Sequence, residues 1–326
     1  VMTGICDQGP AMLVNGRVIS RLTPRRVRDI AEFIETGIPI NDWPDSYFTV
    51  DDNIQRAGLL LADRADKGSA IDATLKNGSE TIMQQLAESG LRGRGGAGFK
   101  TALKWQLCRD TDADERYVVC NADEGEPGTF KDRVLLSRYA DCMFEGMTVC
   151  ARIIGARKGF VYLRGEYRYL LEPLQEVLQN RRSEMLLGEH ILGNDGFDFD
   201  IEIHLGAGAY ICGEESALIE SLEGKRGIPR KRPPFPVSDG YLGKPTVVNN
   251  VETFIAAGRI AIHGADWFRS SGTSESPGTK LLSISGDCSR PGVYEFPFGV
   301  SISEILRECG AKNVQAVQIA GAAGHT

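Results

Sequence analysis

The feature that most constrains this chain is a repeated pattern, from residue 90 onward, of short apolar runs that end in glycine-rich or acidic bends. Residues 117–120 are apolar and lead into an acidic bend, and residues 197–205 alternate apolar with polar side chains before a run of glycines. Helical periodicity occupies the intervals at 130–155 and 168–180. This alternation of strands and helices predicts an α/β fold, an open sheet with helices on both faces.

Charge and composition argue against several classes of protein. The 326 residues carry a net charge of −7, whereas a nucleic-acid protein needs a basic face. No run of about 18 apolar residues is present, so no transmembrane helix is expected. The eight cysteines form no C-x-x-C pair and suit neither a zinc site nor a disulfide scaffold. They are typical of buried thiols in a reducing compartment, which predicts a cytoplasmic location.

The order of predicted elements divides the chain into four parts. They are an N-terminal part at 1–40, a helical connector at 41–84, an α/β domain at 85–272 and a small domain at 273–326. We expect helices at 52–63, inside the connector, and at 79–89, across its end. A chain of this length is expected to form about two domains, at about 150 residues each.

The small domain is predicted to be a ββαβ unit that follows a linker of small and polar residues. Its elements are strands at 280–285 and 293–296, a helix at 302–308 and a strand at 314–319. The unit is unfinished at Thr326, and Val1 stands where an initiator methionine would be. Both ends are therefore expected to lie inside a longer chain.

A glycine-rich bend at 93–98 is the first candidate binding segment. Gly93, Gly95 and Gly98 satisfy G-x-G-x-x-G, but the preceding residues 80–91 have a helical pattern, unlike the usual dinucleotide fingerprint. Without side chains, the backbone N–H groups can approach a phosphate, and a helix that begins near Thr101 adds its positive end. Positive side chains nearby are Arg92, Arg94, Lys100 and Lys104. The alternative is a flexible surface loop.

Two more bends follow predicted strands. Residues 121–128 carry three carboxylates at the carboxyl end of a strand, where ligands of open α/β sheets bind. These acids suit ribose hydroxyls or calcium, or else form a solvated turn. Residues 206–213 are glycine-rich and open a helix, so Glu214 and Glu215 could simply favour the helix dipole. Cys212 is expected to pack inside, because no histidine lies near it in sequence.

The last two candidate segments are basic and amide-rich. Residues 225–232 hold a basic cluster that suits a pyrophosphate or a solvated loop, and Phe235 beyond it is a candidate stacking face. Asn249 and Asn250 end a β-branched run, where their amides could cap a helix or bond a polar ring edge. No Ser/His/Asp triad is evident, so a cofactor is expected to carry the chemistry and no catalytic side chain is predicted.

Four of these segments, in order, resemble the NADH-binding FMN flavoprotein subunit of respiratory complex I. They also resemble its relatives in NAD-reducing hydrogenases and NAD-dependent formate dehydrogenases. The matching stretches are 92–99, 120–124, 206–215 and 248–253. The start at 3–10 is similar to the end of the thioredoxin-like iron–sulfur domain fused to the diaphorase subunit of NAD-reducing hydrogenases, which we therefore favour. The small domain looks like the family's β-grasp domain, cut short.

The resemblance implies FMN and NAD(H) in one cavity, with hydride transfer between them and electrons passed singly to iron–sulfur clusters. FMN would be held by Gly93, Arg94, Gly95, Lys104, Asn121, Asp123, Gly213, Asn249, Asn250 and Thr253. NADH would be held by Phe99, Glu126, Glu215 and Phe235, while Glu124 and Glu214 line the cavity. The implied partners are an iron–sulfur electron-transfer subunit and a catalytic subunit of hydrogenase or formate dehydrogenase type.

Two departures from the family pattern concern iron–sulfur clusters. Met2 occupies a position where the family has a cysteine ligand, so Cys6 is at most a remnant ligand and no metal site is predicted. The family's cysteine-rich C-terminal segment is also missing, which places the clusters in further segments or in partner subunits. An alternative is a non-catalytic assembly subunit that keeps the fold.

Overall fold

The computed structural model describes residues 3–63, 65–321 and 324. Within these residues the strands are β1 (Met12–Val14), β2 (Arg17–Ile19), β3 (Ile54–Arg56), β4 (Tyr117–Ala122), β5 (Lys158–Leu163), β6 (Asp200–Leu205), β7 (Thr246–Asn250), β8 (Thr279–Ile284) and β9 (Gly292–Pro297). The helices are α1 (Pro24–Glu35), α2 (Ser69–Asn77), α3 (Ser79–Glu88), α4 (Thr101–Asp110), α5 (Lys131–Arg138), α6 (Ala140–Ile154), α7 (Leu171–Ser183), α8 (Glu215–Leu222), α9 (Val251–Arg269) and α10 (Ile302–Cys309).

A four-stranded parallel sheet forms the centre of the fold, in the order β6-β5-β4-β7. Val118 of β4 lies opposite Gly159 of β5 on one side and Val247 of β7 on the other. Because all four strands run in the same direction, the bends after them meet at one edge of the sheet. That edge carries the segments that the sequence predicts to bind ligands.

Helices cover both faces of this sheet. Side chains such as Cys120 join the larger core, which includes residues of α6 and α9. Val119, next in the strand, points to the other face and packs with Leu218 of α8 in a second core. Strand residues buried on alternate faces require this arrangement. The predicted open α/β sheet with helices on both faces is therefore confirmed.

The small sheet corrects two predicted elements. Its order is β3-β9-β8, so its third strand comes from residues 54–56, where we expected a helix over 52–63. Ile54 lies opposite Val293 in parallel pairing. The next residues wrap around the buried carboxylate of Glu295, which accepts hydrogen bonds from the backbone N–H groups of Gly58, Leu60 and Leu61. This acceptor replaces the hydrogen bonds that a helix would have supplied.

The second correction concerns the strand predicted at 314–319, which is irregular in the structure. β9 has a partner on each side, β3 and β8, so residues 314–319 have no place beside β9. The helix predicted at 302–308 is present as α10. The assignment of this region to a β-grasp domain and the boundaries of the four parts remain predictions.

The N-terminal part is anchored to the α/β domain by a buried ion pair. Asp7 Oδ1 lies 3.0 Å from Nη2 of Arg133, in the first turn of α5, and both side chains are almost fully buried. β1 and β2 form a hairpin, and the side chain of Thr23 caps α1 by accepting from the N–H group of Arg26. Cys6 lies partly buried in the turn before Asp7, whereas Met2 lies outside the described residues. No described helix combines the length and apolar character needed to cross a membrane.

Candidate functional site

The bends after β4 and β7, the bend at 206–213 and the glycine-rich bend at 93–98 come together at the carboxyl edge of the central sheet. Asn121 Nδ2 donates to the carbonyl oxygen of Gly213 at 2.9 Å, which joins two of the bends. A side-chain carbon added at Gly95 would lie 3.4 Å from Cβ of Asn250, so the glycine-rich bend lies against the end of β7. We call this surface the candidate site.

The glycine-rich bend presents backbone donors. Arg94 N donates to Oγ1 of Thr253 at 2.9 Å, which ties the bend to the first turn of α9. Among the described residues, no acceptor receives the N–H groups of the next four residues, 95–98. Gly96 and Gly98 have φ of +125° and +65°, values that favour glycine. α4 begins soon afterwards without a side-chain cap, so free N–H groups and a helix N-terminus make this bend suited to an anion.

The side chain of Arg94 contacts the small sheet and α9 beside the glycine-rich bend. Its Nη2 donates to the carbonyl oxygen of Thr279 at 3.1 Å, and its Nε lies 3.7 Å from Oε1 of Glu252. The guanidinium also lies over the ring of Phe298, and burial lowers its pKa. Arg94 therefore fastens the small sheet to α9. Its predicted role in holding FMN remains a prediction, and the sequence motif does not reveal these contacts.

Asp123 is the most buried acid of the candidate site. It is 2% exposed, and burial raises its pKa to about 7, although the nearby Arg164 opposes the shift. Side-chain carbons added at Gly125 or Gly213 would lie 3.5 and 3.6 Å from its Oδ2, so both glycines leave room around this carboxyl. Asp123 can therefore serve as a hydrogen-bond donor or acceptor near neutral pH.

We expect Asp123→Asn to stabilise the protein at about pH 8, with little effect at about pH 4. Burial raises the pKa of this carboxyl from 3.8 to about 7, so its contribution to stability is full below 3.8 and is lost as the pH rises through about 7. The free energy of unfolding, measured in urea, should fall less for the variant than for the wild type between pH 4 and pH 8, by about 1 kcal/mol or more. Parallel profiles for the two proteins would contradict this account.

Glu124 does not offer its carboxylate to the candidate site. Its oxygens accept hydrogen bonds from the backbone N–H groups of Asp132 and Arg133 in the first turn of α5, and from the hydroxyl of Tyr167. Burial and the neighbouring Asp132 raise the pKa of Glu124 to about 7. The carboxylate expected to line the cavity is thus held by α5.

Glu214 and Glu215 have different roles: Glu214 caps α8, and Glu215 forms an ion pair. Glu214 Oε2 accepts from the N–H groups of Ser216 and Ala217, so it caps α8, and its Oε1 lies 3.4 Å from Nη1 of Arg232. Glu215 Oε2 instead receives Lys104 Nζ at 2.8 Å. One predicted FMN ligand and one predicted NADH ligand therefore form an ion pair on this surface.

The candidate stacking faces are exposed. Phe99 and Phe235 have 48% and 51% of their surface open to solvent, so both rings are accessible to a ligand. Tyr210 donates its hydroxyl to Oε2 of Glu126 at 2.6 Å and so brings a third ring to the same region. Cys212 is buried in the smaller core, as expected.

The basic segment is largely neutralised by acids of this chain. Arg230 contacts Glu220 and Glu223, and Lys225 contacts Glu223 as well. Arg232 lies near Glu214 and Glu215, at the candidate site. The cluster therefore holds the 225–235 loop on α8, and Arg232 is the member that lies beside the predicted ligand residues.

Three residues that the sequence did not single out organise the end of β7. Trp105 Nε1 donates to Oδ1 of Asn249 at 2.9 Å. Lys131 Nζ lies 3.1 Å from Oδ1 of Asn250 and 3.0 Å from Oε2 of Glu252. Asn250 also caps α9, so the alternative of a capping role is confirmed for this residue. Lys131 and Glu252 lie in the first turns of α5 and α9, where such residues are ordinarily solvent-exposed. Nothing in the sequence therefore indicated that they are buried.

The amide of Asn250 is fully used inside the protein. Its Oδ1 accepts from Lys131 and from the backbone of Glu252, while its Nδ2 donates to Asp132 Oδ2 at 2.5 Å. Asn249 differs, because no described residue accepts from its Nδ2. Within the described residues, no group of three or more His, Cys, Asp or Glu side chains is arranged to hold a metal ion.

Comparison with known proteins gives consistent matches. The family described as the Nuo51 FMN-binding domain matches residues 86–259. The alpha subunit of the NAD-reducing hydrogenase HoxS of Cupriavidus necator is 53% identical over 98% of this chain and 55% of its own length. An NADH-quinone oxidoreductase protein of Escherichia coli is 46% identical over 70% of this chain and 52% of its own length.

A solved structure is also similar. The crystal structure of an NAD+-reducing NiFe-hydrogenase in the air-oxidized state superposes with a TM-score of 0.89 at 48% identity. The match covers 95% of this chain and 53% of that chain. This chain therefore spans about half the length of the relatives that it matches.

Proposed function

Since this chain belongs to the Nuo51 FMN-binding domain family, we propose that it binds FMN and NAD(H) at the candidate site and supports hydride transfer between them. The observation that carries the proposal is the run of N–H groups at 95–98 that no described residue accepts. It faces the edge of a parallel sheet where a buried acid, Asp123, and an amide, Asn249, also lie. Ligands of such sheets bind at this edge.

The residues present fit FMN. The bend at 95–98 supplies N–H donors for a phosphate, and glycines leave space that side chains would fill. The side chains and backbone that would hold FMN are Gly93, Gly95, Lys104, Asn121, Asp123, Gly213, Asn249 and Thr253. Arg94 and Asn250 keep their backbone in this set, while their side chains hold neighbouring elements. When bound, FMN supplies an acceptor for hydride and a means of releasing electrons singly.

The remaining residues of the surface suit a dinucleotide. The exposed rings of Phe99 and Phe235 offer flat apolar faces, and Glu126 and Glu215 offer acceptors for hydroxyl groups. Lys104 keeps Glu215 extended across the surface through their ion pair. The work of the protein is then to orient two ligands, since no histidine or nucleophile lies among these residues.

The wider assembly is also part of the proposal. An iron–sulfur electron-transfer subunit and a catalytic subunit of hydrogenase type would complete the electron path, and the similarity to a subunit of an NAD-reducing hydrogenase supports the second of these partners. A cytoplasmic location is supported by eight cysteines that all remain free thiols.

Reconstitution with FMN tests the proposal directly. The purified protein should take up FMN and show a flavin absorption band, and anaerobic NADH should bleach that band. Retention of no flavin would refute the proposal. NADH binding without bleaching would instead indicate a nucleotide-binding protein without hydride transfer, and assembly with partners alone would indicate a scaffold.

We expect Glu215→Ala to weaken NADH binding by about tenfold or more and to spare FMN, because one charge-assisted hydrogen bond of this kind contributes roughly 1.5 to 3 kcal/mol. Lys104 keeps its second acceptor, the carbonyl oxygen of Val248, in the variant. Titrations of FMN and NADH, monitored by fluorescence, would separate the two effects.

Glu220→Ala is the matched control for this variant. Glu220 lies on the same helix and is 19% exposed in its side chain, close to the 22% of Glu215, but it pairs with Arg230. The control should leave both affinities unchanged, because Arg230 keeps Glu223 and still holds the 225–235 loop. Equal loss of FMN and NADH binding in Glu215→Ala would show that the division of roles is wrong.

A further inference from the structure

Asn249 and Trp105 form a hydrogen bond that fixes the direction of one amide. Trp105 lies on α4, fully buried, and its Nε1 is 2.9 Å from Oδ1 of Asn249. An indole nitrogen can only donate, so the amide atom that faces it must be the oxygen. The reverse orientation would place two donors against each other inside the core and would leave both unsatisfied.

The opposite atom of the amide is left free. Oδ1 and Nδ2 diverge from one carbon, so Nδ2 of Asn249 is turned away from the indole. No described residue accepts from this nitrogen, although Asn249 is only 6% exposed. The residue lies one position before the carboxyl end of β7, at the edge where the glycine-rich bend and α4 begin. A largely buried residue at the candidate site therefore carries a donor atom without an acceptor among the described residues.

The neighbouring amide provides an internal contrast. Both polar atoms of Asn250 are satisfied by Lys131, Asp132 and the backbone of Glu252. The two adjacent asparagines thus have different tasks, since one completes a buried network and the other retains an unused donor. Trp105 decides which kind of atom Asn249 presents.

We propose that Trp105 is a positioning residue, which holds Asn249 so that its Nδ2 donates to an acceptor atom on the edge of the flavin ring. The inference rests on the proposed function, because it specifies how the same site recognises FMN. A donor at the ring edge stabilises the electron-rich reduced ring more than the oxidised ring. Loss of the indole donor leaves the amide free to turn its oxygen toward the ligand.

A double-mutant cycle on FMN binding tests this proposal. FMN is titrated into the apoproteins of the wild type, Trp105→Phe, Asn249→Ala and the double variant, with flavin fluorescence as the readout. Trp105→Phe should weaken binding about tenfold, the effect of one hydrogen bond near the upper end of its usual range. In the Asn249→Ala background the same change should have no further effect. The flavin midpoint potential of Trp105→Phe should fall below that of the wild type.

The control is Trp267→Phe, which removes an indole that packs on His263 away from the candidate site and should leave affinity and potential unchanged. If Trp105→Phe does not fold, Asn249→Asp tests the same point, since it keeps an acceptor for the indole but lacks the donor. Its affinity should fall at least as far as that of Asn249→Ala.

Four outcomes would overturn the inference. They are an equal effect of Trp105→Phe in both backgrounds, an unchanged flavin potential in Trp105→Phe, wild-type affinity in Asn249→Asp, and failure of the wild type to bind FMN. The last of these would refute the proposed function as well. The first three leave FMN binding intact and count against the positioning role alone.

Discussion

Gly146→Ala is expected to destabilise the protein by about 3 kcal/mol or more, among the largest effects of any single methyl group in this fold. Gly146 lies in the middle of α6, where that helix crosses α9. A side-chain carbon at this position would overlap the carbonyl oxygen of Phe254, a backbone atom that cannot turn aside. The two helices would have to separate and lose the close packing of the larger core. Urea unfolding of the variant and the wild type would measure the difference.

Gly258→Ala on the facing helix is the matched control. Its added carbon would lie 3.5 Å from Cα of Gly146, an ordinary contact distance. Alanine is also a better helix former than glycine, by roughly 1 kcal/mol. This variant should therefore be as stable as the wild type or slightly more stable. Wild-type stability for Gly146→Ala would mean that α6 and α9 are farther apart in solution than in the structure.

The sequence predicts the central sheet well because periodicity reports burial. Residues 117–120 and 197–205 carry the apolar patterns of strands, and β4 and β6 form within two or three residues of those bounds. Because parallel strands run in the same direction, the glycine-rich and acidic bends that follow them lie at one edge of the sheet, the carboxyl edge. The bend at 93–98 follows a helix, α3, as its pattern indicated.

The errors occur where long-range contacts override local preference. Residues 58–61 have no helix because Glu295, more than 230 residues away, accepts their backbone hydrogen bonds. β3 contains only three residues and carries a polar Gln55, so nothing local separates it from a loop. The strand expected at 314–319 had an apolar pattern but found no place in the small sheet beside β9.

For the candidate site, the sequence predicts which segments lie there better than it predicts what each side chain contacts. The motifs bring together the bend at 93–98, Asp123 and Asn249, and the structure places these at one edge. The direction of each side chain depends on neighbours far apart in the chain. Arg94 donates to Thr279, and Asn250 accepts from Lys131, contacts that no motif indicates. Trp105, which we propose to act by orienting Asn249, belongs to no motif that the sequence analysis recognised.

We expect Glu252→Gln to destabilise the protein by about 3 kcal/mol and to weaken FMN binding along with it. The side chain of Glu252 is 1% exposed, and its oxygens lie 3.0 Å from Lys131 Nζ and 3.7 Å from Arg94 Nε. Glutamine keeps the shape of the residue but removes the charge. Arg94 would lose its paired carboxylate, and Lys131 would keep Asp132 as its ion-pair partner. Two buried cations with insufficient countercharge should force this region to loosen.

The effect should reach FMN because the network supports the candidate site. Asn250 and Thr253 flank Glu252, and they contact the glycine-rich bend directly. Asp72→Asn is the control, since it removes a carboxylate from an exposed pair with Lys76 and should change stability by less than about 0.5 kcal/mol. Unfolding curves and FMN titrations of both variants provide the comparison. A stable Glu252→Gln variant with normal FMN affinity would show that the buried charge of Glu252 is dispensable for the shape of the bend at 93–98.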